Sequence, residues 1–352
     1  MKKNNLNKLI VQVDMAGCPN RCRHCWLGEH KNGNFSAQDF REIAEEFKNW
    51  RDEKGKGIKK LEFHTWWREP DFRDDYRELW DLEQELSSPG CARRFELLSI
   101  WRLARDNTYA KWAATLEPKA CQITFFGMEE NTDWGVRRKG AFRDAITATE
   151  RCIEAGISPR WQLFLTKKCM NELDEFLYLM KDLDLVNRCK KKGENFVFFI
   201  GGATPEGNGY EIVNLMIEED DIHMIPKEMV SMSRDGISNL GKAEYKLLPS
   251  LLKSHKSLDF WDPHALDIDA DYNIYTAIVE HTARWSLGNL KTDGTDKIIK
   301  AYRDCTAPIL VANNPLSISS LAEKYGDTTN RKLYTKTDII AKYLHQWSVE
   351  NL

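Results

Sequence analysis

The chain has 352 residues, 42% of them hydrophobic and 30% charged, with a formal net charge of −3. That length and composition support a packed core. The near-neutral charge gives no footprint for nucleic acid or for a membrane surface. No run approaches 18 uninterrupted apolar residues, and the N-terminal apolar run is broken by Gln12 and Asp14, so neither a membrane span nor an export signal is expected. Nine cysteines, an odd number without an export signal, point to a reducing cytoplasm and away from a disulfide framework.

The chain opens with a strand, "LIVQVDM" (9–15), followed at once by "GCPNRCRHC" (17–25), which holds three of the nine cysteines. Ser36 is a good N-cap, with Asp39 three residues on, and Phe40, Ile43, Ala44, Phe47 and Trp50 form one apolar helical face. Strand and helix then alternate. Strands are predicted at "KLEFHTW" (60–66), "FELLSIW" (95–101), "ACQITFF" (120–126), "RWQLFL" (160–165) and "NFVFFIGG" (195–202). Helices are predicted at 74–86, 108–116, 141–155 (stopped by Gly156) and 171–183. Six strands with helical crossovers imply a parallel sheet, and the cysteine loop follows the first strand, where such folds gather functional groups.

After residue 202 the texture changes. "GGATPEGNG" (201–209) is a loop, "ALDIDADYNIYTAI" (265–278) a hairpin turning near Asp271–Asn273, and "LGNLKTDG" (287–294) a turn-rich segment. The fold class expected is α/β: a partial (β/α)6 TIM-like barrel over 1–202 with a C-terminal mixed α/β extension over 203–352.

The cysteines are spaced Cys18-x3-Cys22-x2-Cys25. Thiolates are soft ligands for iron–sulfur clusters, zinc or copper(I). Three is fewer than a structural zinc site or an ordinary [4Fe–4S] cluster takes, so a three-thiolate cluster leaves one iron open. Three thiolates with His24 or His30 are the alternative, a closed zinc site in a non-catalytic protein. The motif at the end of a first strand, followed by repeated β/α units, resembles the radical S-adenosylmethionine (SAM) superfamily, with His24 where that family usually has an aromatic residue.

The resemblance implies a [4Fe–4S] cluster on Cys18, Cys22 and Cys25, with SAM on its open iron. An electron from an external donor of the flavodoxin or ferredoxin type cleaves SAM. The resulting 5′-deoxyadenosyl radical takes a hydrogen atom from a substrate. It further implies SAM-binding roles for several residues, His24 among them. Glu69, in "HTWWREP", stands for the acid of a Gly-Gly-Glu-Pro stretch, with Trp67 and Arg68 in place of the glycines. Thr124 stands where the family has a ribose-contacting Ser, and Phe126 where it has an acid. Arg160 and Gln162 would point into the barrel, and Gly201 would edge the adenine.

The C-terminal part is similar to a SPASM/twitch layout, but no cysteine lies between 190 and 304, so only one cluster is expected. The substrate expected first is a small molecule, with a peptide as the alternative. Trp66 and Trp67 are candidates for a substrate wall and His64 for a base or a structural histidine. Glu280 and His281 are expected on the solvated surface. Cys305 is expected to be a buried, inert thiol.

Overall fold

The computed structural model describes residues 4, 6–15, 17–29, 31–65, 69, 72–90, 98–118, 120–256, 258, 265–276, 280–313 and 315–352. Ten strands are named here: β1 (Lys8–Val13), β2 (Lys60–His64), β3 (Cys121–Phe125), β4 (Pro159–Phe164), β5 (Val197–Gly201), β6 (Lys242–Ala243), β7 (Ala265–Ile268), β8 (Asn273–Thr276), β9 (Ser286–Asn289) and β10 (Leu333–Tyr334).

The parallel strands fall into two sheets, and no closed barrel forms among the described residues. One sheet has the order β2-β1-β7-β8-β9 and the other β3-β4-β5, with β6 and β10 as a separate antiparallel pair. β1 pairs in parallel with β2 on one side and with β7 on the other, so the first strand of the chain is flanked by one from its C-terminal half. β7 and β8 form the expected hairpin, whose turn is closed by Asp269 accepting the Asp271 and Asn273 amides at 2.8 and 2.9 Å. The turn-rich segment after 286 contains β9, which extends that sheet.

Five of the six expected core strands are present. The strand expected at 95–101 is not. Its residues 95–97 lie outside the described residues, and Ile100–Arg105 is a helix. Ser99 is the reason: its hydroxyl accepts from the Arg102 amide at 3.0 Å, a cap that turns an apolar run into a helix start. Arg102, itself buried, then reaches Asp74 and the Phe72 carbonyl. At the other edge, Ser233 forms a single parallel bridge to Phe198 of β5.

Hydrophobic patterning sets the faces. In β3, Cys121, Ile123 and Phe125 are buried while Gln122 and Thr124 alternate to the opposite side. β4 repeats this with Trp161 and Leu163 against Arg160 and Gln162. The buried faces join the helices Ala141–Ala155 and Leu173–Asp182 in one core, where Trp161 contacts Phe125 and Phe176. A second core joins β1 and β2 to the helix Ala37–Asn49, to β7 and β8, and to the C-terminal helix Lys336–Asn351. Residues from both sides of position 202 therefore share one sheet and one core. The helix Ala37–Asn49 starts on the expected Ser36–Asp39 capping box, worth about 1 kcal/mol. Among the described residues no helix is long and apolar enough to cross a membrane.

Candidate functional site: the cysteine loop and the faces around it

The cysteine loop begins where β1 ends. Asp14, buried, accepts the Gly17 amide at 2.9 Å and so turns the chain out of the strand. Asn32 holds Cys18 from both sides, accepting its amide and donating to its carbonyl at 3.1 Å each. The loop is then stitched to the helix Glu129–Val136 through Arg21 N–H to Val136 O (3.3 Å) and Arg23 N–H to Gly135 O (2.7 Å). Local turns close Cys25 onto the Cys22 carbonyl (3.1 Å) and Gly28 onto the Cys25 carbonyl (3.2 Å).

None of the three cysteines is in a disulfide, and all three residues are partly exposed. Burial pushes the Cys22 thiol well above its ordinary value, and the charges of Cys25 and Glu69 push it further. A set of soft donors that disfavour a lone thiolate is one that a cationic centre stabilises, so the donor chemistry fits an iron–sulfur cluster. Among the described residues no three His, Cys, Asp or Glu groups converge as a single metal ion requires. The closed zinc site with His24 is not formed: the His24 ring packs against Phe126 (5.0 Å) and Phe164 (4.5 Å). Its Nδ1 is buried without a partner, and burial lowers its pKa to about 4, so the ring is neutral. His30 lies outside the described residues, as do Cys91, Trp66, Trp67, Arg68 and Pro70.

Glu69 does reach the loop. Its Oε2 lies 3.7 Å from Cys18 Sγ and 3.4 Å from Asn20 Nδ2, while Oε1 accepts from Ser99 Oγ (2.6 Å) and Trp101 N–H (2.9 Å). Burial raises its pKa, against those hydrogen bonds and the charge of Arg138. Its carboxylate thus ties the loop to the helix that replaced the expected third strand.

Thr124, Arg160, Gln162 and Gly201 lie on neighbouring strands of one sheet. The register sets Thr124 beside Gln162 and Phe164 beside Gly201. Gln122, which sequence reasoning missed, is the link: it accepts from Arg160 Nη2 (2.6 Å) and donates to Gln162 Oε1 (2.9 Å). Alternation along β3 was a signal that could have found it. The space a Cβ would take at Gly201 meets only Gln162 Nε2, at 3.9 Å. On β3 and β4 this face is polar, with the Arg160 guanidinium 5.8 Å from the Phe199 ring of β5, and it lies opposite the aromatic core of its own sheet.

On the other sheet, Gln12 donates to Asp267 Oδ1 (2.8 Å), and Asp267 Oδ2 lies 3.1 Å from His281 Nε2. His281 stacks on Tyr275 (4.5 Å) and meets the edge of Trp26, next to Cys25. His64 sits between Glu62 and Glu83 at 3.9 and 3.8 Å. Glu280 and His281 are not on the solvated surface: they are only 2% and 4% exposed. Glu280 accepts from His345 Nδ1 (2.9 Å), Arg284 Nη2 (2.6 Å) and the Gly207 amide (3.0 Å). Polar side chains so far from the cysteines in sequence leave no local pattern, which is why they read as surface. Cys305 is buried, as expected.

Comparison with known proteins covers the sequence in part and the fold throughout. A family model described as the Radical SAM superfamily matches residues 13–167. No curated protein matches the chain. Among solved structures, the chain is similar to "Native anSMEcpe with bound AdoMet" (TM-score 0.52, 12% identity, 98% of this chain and 100% of that one). It is also similar to the histidine-tagged form of anSMEcpe, likewise with bound AdoMet (TM-score 0.54, 12% identity, 97% and 94%). A third likeness is to "Native anSMEcpe with bound AdoMet and Cp18Cys peptide" (TM-score 0.50, 12% identity, 97% and 98%). At that identity these likenesses speak to fold alone. The matched segment, under half of the chain, runs from the end of β1, through the cysteine loop, to just past β4, and it is similar to the radical SAM superfamily, whose enzymes use a [4Fe–4S] cluster and S-adenosylmethionine.

Proposed function

We propose that this protein is a radical SAM enzyme that removes a hydrogen atom from a peptide substrate. The observation that carries the peptide reading is the shared fold over 97% of this chain and 98% of a structure that holds a Cp18Cys peptide. This reverses the order of substrates reached from sequence, which rested on the missing cysteines between 190 and 304. When bound, the cluster and SAM supply a 5′-deoxyadenosyl radical, chemistry that no side chain can start.

The chain's own residues hold, orient and shield. Cys18, Cys22 and Cys25 are the cluster ligands in this reading. His24, neutral and packed on Phe126 and Phe164, keeps water from the loop, and its unpartnered Nδ1 is the atom it has left for the cofactor. Glu69 fixes the loop through Asn20 and Cys18. Thr124, Gln162 and Gly201 would form a wall for SAM, and Arg160, through Gln122, holds the Gln162 amide in one orientation. A fixed amide recognises a ligand acceptor at lower entropic cost than a free one. No cysteine between 190 and 304 is available for a second cluster, so electrons come from an external carrier of the ferredoxin or flavodoxin class.

The test uses anaerobically reconstituted protein with SAM, dithionite and a host extract split by ultrafiltration at about 1 kDa. The upper fraction, treated to remove proteins above about 10 kDa, should raise 5′-deoxyadenosine above the substrate-free background and yield a peptide of altered mass. Stimulation by the lower fraction alone would return the small-molecule reading. Absence of iron and of 5′-deoxyadenosine would refute the function.

A further inference from the structure

We propose that Asn208 is a positioning residue for the cysteine loop, and that the turn carrying it is clamped from the far end of the chain by Glu280 and His345. The proposal rests on Cys18, Cys22 and Cys25 being the cluster ligands.

Asn208 is 5% exposed and opens a single helical turn, Asn208–Glu211, seven residues after β5 ends. Its amide donates to the Cys25 carbonyl at 2.9 Å, and its Nδ2 donates to the Cys22 carbonyl at 3.2 Å. One residue thus engages the carbonyls of two of the three cysteines. A peptide plane sets the ψ of the residue before it, so pinning both planes fixes the two Cα–Cβ bonds from which the thiols project.

The approach is as close as backbone allows. Gly207 has φ +54°, and a Cβ there would run into the Trp26 carbonyl and lie 2.7 Å from the Gly28 nitrogen. A Cβ at Gly209 would collide with the Thr204 carbonyl and stand 3.6 Å from the His24 carbonyl. The two glycines on either side of Asn208 let the turn lie flat on residues 24–28.

The turn is held in its own right. Gly207 N–H donates to Glu280 Oε2, and Glu280 N–H returns a bond to Glu206 Oε1, each at 3.0 Å. Thr204 Oγ1 donates to Asp338 Oδ1 at 3.0 Å. The same Glu280 oxygen that holds Gly207 takes His345 Nδ1 at 2.9 Å, and His345 stacks on Tyr210 at 4.0 Å. His281 N–H reaches the Leu27 carbonyl at 2.9 Å. The cysteine loop is therefore backed by a frame whose outer member is the C-terminal helix. None of these groups donates to a thiol, so their action is on where the thiols stand.

The test compares wild-type holoprotein with Asn208→Ala, Asn208→Asp and His345→Ala after anaerobic reconstitution. Two readouts are used: the rate at which a ferrous chelator strips the reduced cluster, and the electron paramagnetic resonance line shape of that cluster. Asn208→Asp keeps the shape and the main-chain bond but faces the Cys22 carbonyl with a carboxylate oxygen. Both Asn208 variants should lose iron about tenfold faster, which is about 1.4 kcal/mol in barrier, with an altered line shape. His345→Ala, remote from the loop, should lose iron about threefold faster.

A core variant such as Ile200→Val, matched in melting temperature, should release iron at the wild-type rate. If it speeds release equally, the effect is plain destabilisation and the proposal falls. Release within twofold of wild type in all three variants, with an unchanged line shape, overturns the clamp alone. Should the Asn208 variants fail to fold, His345→Ala decides. A wild-type protein that binds no iron overturns both the clamp and the ligand assignment beneath it.

Discussion

Replacing Glu206 by Gln should make the protein more stable at alkaline pH while leaving it nearly unchanged in acid. Burial drives the Glu206 carboxyl up to about 8, with the charges of Glu280 and then Asp338 adding to it, against a hydrogen bond from the Glu280 amide. An unfolded glutamate titrates at about 4.3. A folded pKa above the unfolded one means the native state keeps a proton the unfolded chain has released. That advantage is present in full below about pH 4.3 and is lost as pH rises through about 8. At about 1.4 kcal/mol per pH unit the whole span is worth about 5 kcal/mol.

Gln keeps an oxygen to accept the Glu280 amide at the Oε1 position and carries no charge at any pH. Chemical denaturation of both proteins at pH 5, 7 and 8.5 gives the difference directly. The partner shift on Glu280, near 2, falls outside that window. His24 titrates alike in both proteins. The variant's advantage should grow from about 1 kcal/mol at pH 5 to about 5 kcal/mol at pH 8.5. A difference that stays constant from pH 5 to pH 8.5 refutes the reasoning.

Three further outcomes are expected. Cys22→Ala should abolish iron retention after reconstitution, read as loss of broad absorbance near ~400 nm, because two thiolates cannot hold the cluster. Glu69→Ala strands the Ser99 hydroxyl and the Trp101 amide, both bonded to a buried carboxylate, and should cost about 2–5 kcal/mol in chemical denaturation, with Glu69→Gln costing less. Glu280→Ala removes an acceptor shared by His345, Arg284 and Gly207 in a buried site and should cost about 3–5 kcal/mol, read as a lowered melting temperature at pH 7.

What sequence could reveal follows from the range of the interaction involved. The capping box at Ser36 and Asp39, the alternation in β3 and β4 and the crowded cysteines are all local, and each was legible. The run at 95–101 was misread because its apolar residues outweighed one hydroxyl, Ser99, whose bond to the Arg102 amide starts a helix instead. Gln122 was visible as a strand residue but not as a bridge, since its partners Arg160 and Gln162 are 38 and 40 residues away. Glu280 and His281 looked like surface because charged residues are rarely buried without partners, and their partners Gly207, His345 and Asp267 are far off in sequence. The split of the parallel strands into two sheets was hidden for the same reason: β7, not an early strand, is the second neighbour of β1.

That pairing has a consequence for biogenesis. The cysteine loop hangs from β1, whose second edge stays open until residues 265–268 have been made and have left the ribosome. Contacts of such long separation form late and slowly. During synthesis the nascent chain therefore carries its thiols on a half-finished platform, exposed to stray metals and oxidants. The frame that carries the cysteine loop is complete only once the C-terminal third has been made.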